Sequence, residues 1–250
     1  MKINFKNNRN EKIVGILSVP DKKSPEITII IHGFSSNKDG GSRFTAGILA
    51  KHRLNSIAID LDNCGESEPK FEDMTITTYV DTIMSTIQYC KSQGFTKINL
   101  IGTSAGGLSA MVTALKYPKI NSLILRSASP SDAEWFRNYL GSKGVDEWKR
   151  KGYFTYTLKN GRTKRIKYSL YSDALKYDMY KRARNIKAPT LMIHGSADTI
   201  VPLRSVVRLA KHFQKAKLVI IKGADHGLGV DGDYTESQKN IVEWLKKERK

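Results

Sequence analysis

A serine flanked by glycines is the residue of this sequence best suited to do chemistry. Gly102, Ser104 and Gly106 follow the apolar run 98–101, and Gly-x-Ser-x-Gly after a buried strand is typical of a nucleophile held on a sharp strand-to-helix turn. Side chains at the glycine positions would collide in such a turn. We also expect a helix over 105–116, whose amino end favours a developing oxyanion. The alternative is an ordinary glycine-containing connection.

The base that a serine nucleophile needs is sought among only five histidines. A serine hydroxyl is a weak nucleophile until a base within hydrogen-bond reach, itself oriented by a carboxylate, accepts its proton. His226 lies in a loop of small residues after the last predicted strand, and we predict it as the base. His32 and His194 each follow a predicted strand and precede a glycine, which favours a role in stabilising a turn.

The orienting carboxylate is predicted to be Asp198, in the loop that follows the strand at 190–193. Asp225 is the local alternative, but a residue adjacent to the base in sequence usually points elsewhere. Asp60 and Asp62 are further alternatives in a loop rich in turn-forming residues. We expect their carboxylates to accept backbone hydrogen bonds instead.

An oxyanion hole would complete the site. The residue after the nucleophile, Ala105, is predicted to donate its backbone N–H, and a second N–H is expected from the loop after the strand at 27–31. Phe34 occupies that position. An aromatic side chain that merely ends a strand is the alternative interpretation of Phe34.

The elements that must position these residues follow from an alternation of strand and helix patterns along the chain. Strands are predicted at 2–6, 12–19, 27–31, 56–59, 98–101, 122–125, 190–193 and 218–221, and helices at 43–52, 75–93, 105–116, 203–213 and 236–247. This alternation predicts an α/β fold with a mostly parallel eight-stranded sheet and helices on both faces. Sites in such sheets lie at the carboxyl ends of the strands.

The alternation is interrupted over residues 131–184, which we predict to be a cap inserted into a core domain formed by residues 1–130 and 185–250. The cap segment (131–184) holds seven of the eleven tyrosines, together with Trp135 and Trp148. Asn160-Gly161 between two strand-like runs predicts a β-hairpin, because both residues tolerate positive φ.

Composition excludes several classes of protein. The chain of 250 residues is 40% hydrophobic and 26% charged, as expected of a globular protein, and no apolar run approaches a membrane span. The beginning of the chain has no apolar signal segment, which favours the cytoplasm. Two cysteines are too few for a disulfide framework or a metal motif. The net charge of +18 is spread along the chain without a nucleic-acid-binding motif, so a lysine-rich solvated surface is the preferred interpretation.

These motifs together resemble the serine α/β-hydrolases, in which the nucleophile, acid and base occur in the order of Ser104, Asp198 and His226. The sequence is most similar to small esterases grouped with cinnamoyl (feruloyl) esterases and monoacylglycerol lipases. The resemblance implies an α/β-hydrolase fold, these three residues as the triad, and Phe34 and Ala105 as oxyanion donors. Cinnamoyl esterases usually carry Gln and the lipases Met where this chain has Ala105. Asn63 replaces the first glycine of the family's Asp-x-x-Gly-x-Gly-x-Ser loop.

The reaction predicted is hydrolysis of a small soluble ester, with a short-chain or aromatic acyl group, through an acyl-enzyme and without a metal or organic cofactor. The cap segment has fourteen Lys and Arg against six Asp and Glu, unlike an apolar lipase lid, and an ester with a carboxylate is one substrate that this charge would suit. A small aromatic core with solvated charges is the alternative interpretation of the cap.

Other α/β-hydrolase activities (monoacylglycerol lipase, aminopeptidase, thioesterase, C–C hydrolase or acyltransferase) and a non-catalytic ligand-binding protein stay open. The oligomeric state also stays open, and a homodimer is one of the alternatives. A nucleic-acid partner and membrane insertion are not expected.

Overall fold

One eight-stranded sheet dominates the part of the chain described by this computed structural model, which comprises residues 1–62, 64–68, 71–158, 161, 163–229 and 235–248. Its strands are β1 (Lys2–Lys6), β2 (Lys12–Ser18), β3 (Glu26–Ile31), β4 (Ser56–Ile59), β5 (Lys97–Thr103), β6 (Ser122–Arg126), β9 (Thr190–Gly195) and β10 (Ala216–Ile221). Their order is β1-β2-β4-β3-β5-β6-β9-β10. The six neighbouring strands β4, β3, β5, β6, β9 and β10 run parallel, whereas β2 is antiparallel to both of its neighbours, β1 and β4. The predicted fold class is confirmed.

Helices cover both faces of the sheet. They are α1 (Arg43–Lys51), α2 (Ile76–Ser92), α3 (Ala105–Lys116), α7 (Leu203–Ala210) and α8 (Glu236–Glu248), with short helical turns at Lys38–Ser42, Phe71–Asp73 and Ala183–Asn185. Strand β3 shows how the faces are divided, because its β-branched residues are buried on both sides and alternate in direction. Ile29 and Ile31 belong to the core shared with α2, α3 and α7, whereas Ile30 belongs to the core shared with α1 and α8.

The chain between β6 and β9 folds above the carboxyl ends of the strands. It comprises α4 (Asp132–Lys151), β7 (Tyr153–Thr157), β8 (Thr163–Lys167), α5 (Ser169–Ala174) and α6 (Met179–Arg182). Strands β7 and β8 pair antiparallel as a separate two-stranded sheet. Gly161 has φ +78°, and its predicted turn partner Asn160 lies outside the described residues.

A buried tryptophan organises this segment. Trp148 is 1% exposed, its indole N–H donates to the Ile166 carbonyl at 3.0 Å, and Phe136 and Phe154 pack against it with centroid distances of 5.1 and 4.6 Å. Edge-to-face packing of this kind favours aromatic pairs beyond the area that they bury. The aromatic residues of the cap segment therefore pack together, but as part of the core that α2 and α3 share with the sheet, and not as the separate small core of the alternative interpretation.

Candidate active site

Ser104 lies on a strained turn between β5 and α3. Its φ of 54° and ψ of −122° are costly for a residue with a side chain and persist only where the surroundings enforce them. A hydrogen bond from the Ser104 amide to the Arg126 carbonyl, 2.9 Å long, anchors the turn to β6. A Cβ atom on Gly102 would lie 2.6 Å from the Gly106 carbonyl oxygen, and one on Gly106 would overlap the carbonyl oxygen of His32. The glycines therefore meet a steric requirement of the turn.

Asp198 and His226 are joined by a hydrogen bond across the loops that follow β9 and β10. His226 Nδ1 lies 2.8 Å from Asp198 Oδ2, while Asp198 Oδ1 accepts 2.9 Å hydrogen bonds from the amides of Ile200 and Val201. Burial acts to raise the pKa of Asp198, but the hydrogen bonds from His226 and Val201 and the histidine charges outweigh it and lower that pKa. An ionised Asp198 fixes the proton on Nδ1, so Nε2 of His226 is left as the basic atom.

The two loops are also held to each other by their backbones. The Ala197 amide donates to the Ala224 carbonyl at 2.9 Å, and the Gly223 amide donates to the Ser196 hydroxyl at 2.8 Å. A Cβ atom on Gly195 would overlap the Ala224 carbonyl oxygen. This close approach of two backbones sets the separation between the carboxylate and the imidazole.

The other two histidines at strand ends make structural contacts. His32 accepts the Leu61 amide on Nε2 at 3.0 Å and donates from Nδ1 to the Gly33 carbonyl at 2.7 Å. His194 Nε2 lies 2.8 Å from the Val201 carbonyl, to which it donates. Burial lowers the pKa of both imidazoles. Each therefore braces a loop in its neutral form, the role that the sequence predicted.

The carboxylates that were alternatives to Asp198 as the orienting acid form other hydrogen bonds. Asp225 accepts the Gly227 amide at 2.9 Å. Asp60 accepts the amides of Lys38 and Glu66 at 2.7 and 2.8 Å, as expected of a loop-stabilising carboxylate. Asp62 departs from that expectation, since its partners are the side chains of Arg9 and Thr82. Asp198 is thus the carboxylate that hydrogen-bonds the His226 ring.

Phe34 and Ala105 both line the cavity above Ser104. Ala105 is the first residue of α3, so its N–H has no acceptor within the helix. A Cβ atom on Gly33 would lie 3.1 Å from Ser104 Cβ, which shows that the loop carrying Phe34 passes directly against the nucleophile. Two backbone amides on either side of a serine can stabilise the oxyanion of a tetrahedral intermediate.

A buried lysine, which sequence reasoning missed, ties the Phe34 loop to the loop after β4. Lys38 is 2% exposed, and its Nζ lies 3.0 Å from Asp60 Oδ2, 2.9 Å from Asp39 Oδ2 and 2.8 Å from Glu66 Oε1. Burial acts to lower the pKa of Lys38, but the hydrogen bonds that its ammonium donates to the three carboxylates outweigh burial and raise the pKa. Gly65 has φ +55° and packs so closely against Asp60 that a Cβ atom on Gly65 would overlap the Asp60 carboxylate. Asn63 of the same loop lies outside the described residues.

The cavity at the carboxyl ends of the strands has a volume of about 520 Å³. Ser104 and His226 open into it, and the cap segment contributes part of its wall: Asp132, Trp135, Phe136, Tyr156 and Leu158. Among the described residues that line it, none is Lys or Arg. The described basic residues of the cap segment therefore do not support the ester with a carboxylate that the sequence left as one possible substrate.

Asp132 is a second residue that sequence reasoning missed. It is the first residue of α4 and 7% exposed. Burial raises the pKa of its carboxyl to about 6, against the lowering effect of a hydrogen bond with the Ser129 side chain. Ser131 caps α4 by accepting the Glu134 amide, and a residue next to a helix cap is not marked by its sequence as part of a cavity wall.

Groups of three or more His, Cys, Asp or Glu able to hold a metal ion do not occur in the described part of the chain. The same residues contain no helix that is long and apolar enough to cross a membrane. Cys64 and Cys90 are buried free thiols, as predicted.

Known proteins share this architecture. Est1E from Butyrivibrio proteoclasticus, in a structure with ferulic acid bound, superposes with a TM-score of 0.84 at 24% identity and covers 99% of each chain. At that identity the likeness shows the fold, with its parallel sheet and both helical layers. The fold is the α/β-hydrolase fold, with Ser104 on the turn after β5.

The family model named prolyl oligopeptidase family matches residues 71–250, and the chain belongs to that family. Relatives with curated names are 24–27% identical to the chain. Mouse serine hydrolase BPHL is 24% identical over 191 residues, which are 72% of this chain and 66% of the relative. Bovine mitochondrial palmitoyl-protein thioesterase ABHD10 is 25% identical over 90% of this chain and 78% of its own length. A Mycoplasma genitalium protein named as an esterase/lipase is 27% identical over 88% of this chain and 89% of its own length. The chain spans just under two thirds of the length of BPHL, and its relatives include a serine hydrolase, a thioesterase and an esterase/lipase.

Proposed function

We propose that this protein is a serine carboxylesterase that hydrolyses a small ester through an acyl-enzyme intermediate. The observation that carries the proposal is the 2.8 Å hydrogen bond between Asp198 and His226 beside a cavity that also contains Ser104 on its strained turn. The arrangement has the parts of a nucleophile–base–acid triad. The cytoplasmic location predicted from the sequence is part of the proposal.

In the proposed mechanism the Ser104 hydroxyl attacks the ester carbonyl while Nε2 of His226 accepts its proton. Asp198 stabilises the imidazolium that forms, and the amides of Phe34 and Ala105 donate to the oxyanion. The imidazolium then protonates the leaving alcohol, which leaves the acyl group on Ser104. Water, deprotonated by the same imidazole, attacks the acyl-enzyme and releases the acid.

The size and lining of the cavity support a small or aromatic acyl group. The rings of Phe34 and Tyr156 pack at a centroid distance of 5.2 Å, and the rings of Phe34 and Phe136 pack at a centroid distance of 6.3 Å. A volume of about 520 Å³ lies within the range for pockets that enclose small ligands. A panel of p-nitrophenyl esters from acetate to palmitate, with hydroxycinnamate esters, should show highest kcat/KM for short or aromatic acyl groups. Preference for palmitate would overturn this assignment of substrate.

Covalent labelling tests the nucleophile. A fluorophosphonate probe should label the wild-type protein, and Ser104→Ala should abolish both labelling and ester hydrolysis. Ser109→Ala is a matched control, because Ser109 is buried in the same helix and donates to the Ala105 carbonyl, away from the proposed chemistry. Unlabelled and inactive wild-type protein would favour the non-catalytic binding protein instead.

Amide hydrolysis is the second candidate, favoured by the match to the prolyl oligopeptidase family over residues 71–250. The same triad chemistry cleaves amides when the leaving amine is protonated by the imidazolium. A kcat/KM for amino-acid p-nitroanilides above that for the best p-nitrophenyl ester would make the protein a peptidase. We expect the esters to be cleaved faster.

A further inference from the structure

The cavity wall contains a buried carboxyl group that the proposed mechanism does not use. Asp132 lines the same space as Ser104 and His226, yet it is only 7% exposed. Burying an ionised carboxylate without a cationic partner is costly. The amino end of α4, where Asp132 is the first residue, offers only a partial positive charge and not the full counter-charge of a cation.

The surroundings of Asp132 lack a cation within the described part of the cavity lining, which contains neither Lys nor Arg. The Ser129 side chain is its hydrogen-bonding partner, and burial raises the pKa of Asp132 to about 6. At neutral pH the carboxyl is thus largely ionised, while its negative charge has no cationic side chain in this wall to offset it.

Asp132 also lies close to the reacting centre along a short chain of contacts. The Ser129 amide donates to the backbone carbonyl of Ser104 at 3.2 Å, and the Ser129 side chain hydrogen-bonds Asp132. Asp132 is thus connected through Ser129 to the residue that carries the proposed nucleophile, and both residues line one cavity. Trp135 and Phe136, one helical turn further along α4, present aromatic surface to the same cavity.

We propose that Asp132 is a specificity-determining residue that binds an ammonium group carried by the substrate near its scissile carbonyl. A carboxylate offers the ammonium a charge-assisted contact, and neighbouring aromatic rings attract cations through their faces. The ammonium would supply the counter-charge that the described cavity wall lacks. This inference rests on the proposed ester hydrolysis and narrows its substrate class to cationic esters.

Two pairs of esters, matched in shape, test the inference, with the ammonium on the acyl or the alcohol side. The first pair is 1-naphthyl alaninate and 1-naphthyl isobutyrate, and the second is acetylcholine and 3,3-dimethylbutyl acetate. For at least one pair, the ratio of kcat/KM for the cationic over the neutral ester should fall about 10- to 100-fold from wild type to Asp132→Asn. The kcat/KM of the neutral ester should fall by a clearly smaller factor than that of its cationic partner.

A merely structural role of Asp132 predicts a different pattern, in which both members of each pair lose activity equally. Equal loss, or no change in either ratio, would overturn the inference while leaving ester hydrolysis established. If no ester of either pair is hydrolysed by the wild type, the proposed function fails first. Fluorophosphonate labelling of Asp132→Asn verifies that the site has folded.

A measurement on the wild-type protein keeps the inference testable if Asp132→Asn does not fold. Benzylammonium and benzyl alcohol, similar in size, are compared as competitive inhibitors of 1-naphthyl isobutyrate hydrolysis. Benzylammonium should inhibit at a concentration at least about tenfold lower than benzyl alcohol. Equal inhibition by the two compounds would contradict an ammonium site.

Discussion

At the scale of single residues, the site combines groups that are predictable from sequence with groups that are not. Ser104, Asp198 and His226 each lie in a loop directly after a strand, and a strand end can be located from its apolar run. Asp132 and Lys38 become notable only through burial, at 7% and 2% exposure. Burial of a charged side chain is a tertiary property that no local pattern encodes.

The free energy of unfolding of the protein without a ligand should decrease as the Asp132 carboxyl ionises. Its folded-state pKa of about 6 lies above the ordinary value of 3.8, so the folded protein binds the proton more tightly and loses stability as pH rises from about 4 to about 6. The difference corresponds to about 3 kcal/mol at most. We expect Asp132→Asn to raise the free energy of unfolding at pH 7.5 by about 1–3 kcal/mol, measured by urea denaturation.

The same variant provides its own control at low pH. Near pH 4 the carboxyl is protonated in the folded protein, so the stabilisation by Asp132→Asn should shrink towards zero. A variant equally stabilised at both pH values, or destabilised at pH 7.5, would contradict the cost assigned to this buried carboxylate.

At the scale of elements, the turn between β5 and α3 depends on close approach of three backbones. Gly106→Ala would place a Cβ atom against the His32 carbonyl oxygen, which pushes the Phe34 loop away from Ser104. We expect a loss of about 1–3 kcal/mol of unfolding free energy together with a fall in kcat of at least tenfold. Thermal denaturation and ester assays measure the two effects.

Gly47→Ala is the matched control for Gly106→Ala. Gly47 lies within α1, and a Cβ atom added to it would meet no packed neighbour within 4 Å. Replacement should raise stability by about 0.5–1 kcal/mol, because alanine loses less conformational entropy in a helix. Unchanged activity in Gly106→Ala would show that the Phe34 loop is not held by this contact.

The buried Lys38 should position the loop that carries Phe34. Lys38→Met leaves the Asp60 carboxylate buried without its cation, and breaking such a pair typically costs about 3–5 kcal/mol. We expect kcat to fall more than KM rises, since the loop presents an amide to the transition state. Lys181→Met, at an exposed ion pair of 3.6 Å, should change stability by less than about 0.5 kcal/mol. Equal effects of both variants would refute the positioning role.

The strands were predictable to within a few residues, whereas the three helices of the cap segment, α4, α5 and α6, were not. The β-branched run of β3 and the four residues Ser56–Ile59 of β4 are buried on both faces, which produces an uninterrupted apolar signal. Helix α4 has few buried residues, among them Phe136 and Trp148, and it is interrupted at Gly141, whose φ is 69°. Its helical period is too sparse to separate from a loop.

At the scale of the whole molecule, the chain has a formal charge of +18. The described residues that line the cavity nevertheless include no Lys or Arg. Surface charges act over about 10 Å at 0.1 M salt and are screened above it. We expect kcat/KM for a neutral p-nitrophenyl ester to change less than about twofold between 50 and 500 mM NaCl. A fall of tenfold or more would place basic side chains in contact with the substrate.

The proposed function depends above all on Ser104 carrying the acyl group during turnover. Rapid mixing of the protein with p-nitrophenyl acetate, acid quenching and peptide mass mapping measure this directly. We expect an added acetyl group on the peptide that contains Ser104, its formation preceding steady-state release of acetate, and its absence in Ser104→Ala. Turnover of the ester without acetylated Ser104, or an acetyl group on another residue that forms at the turnover rate, would contradict the proposed mechanism.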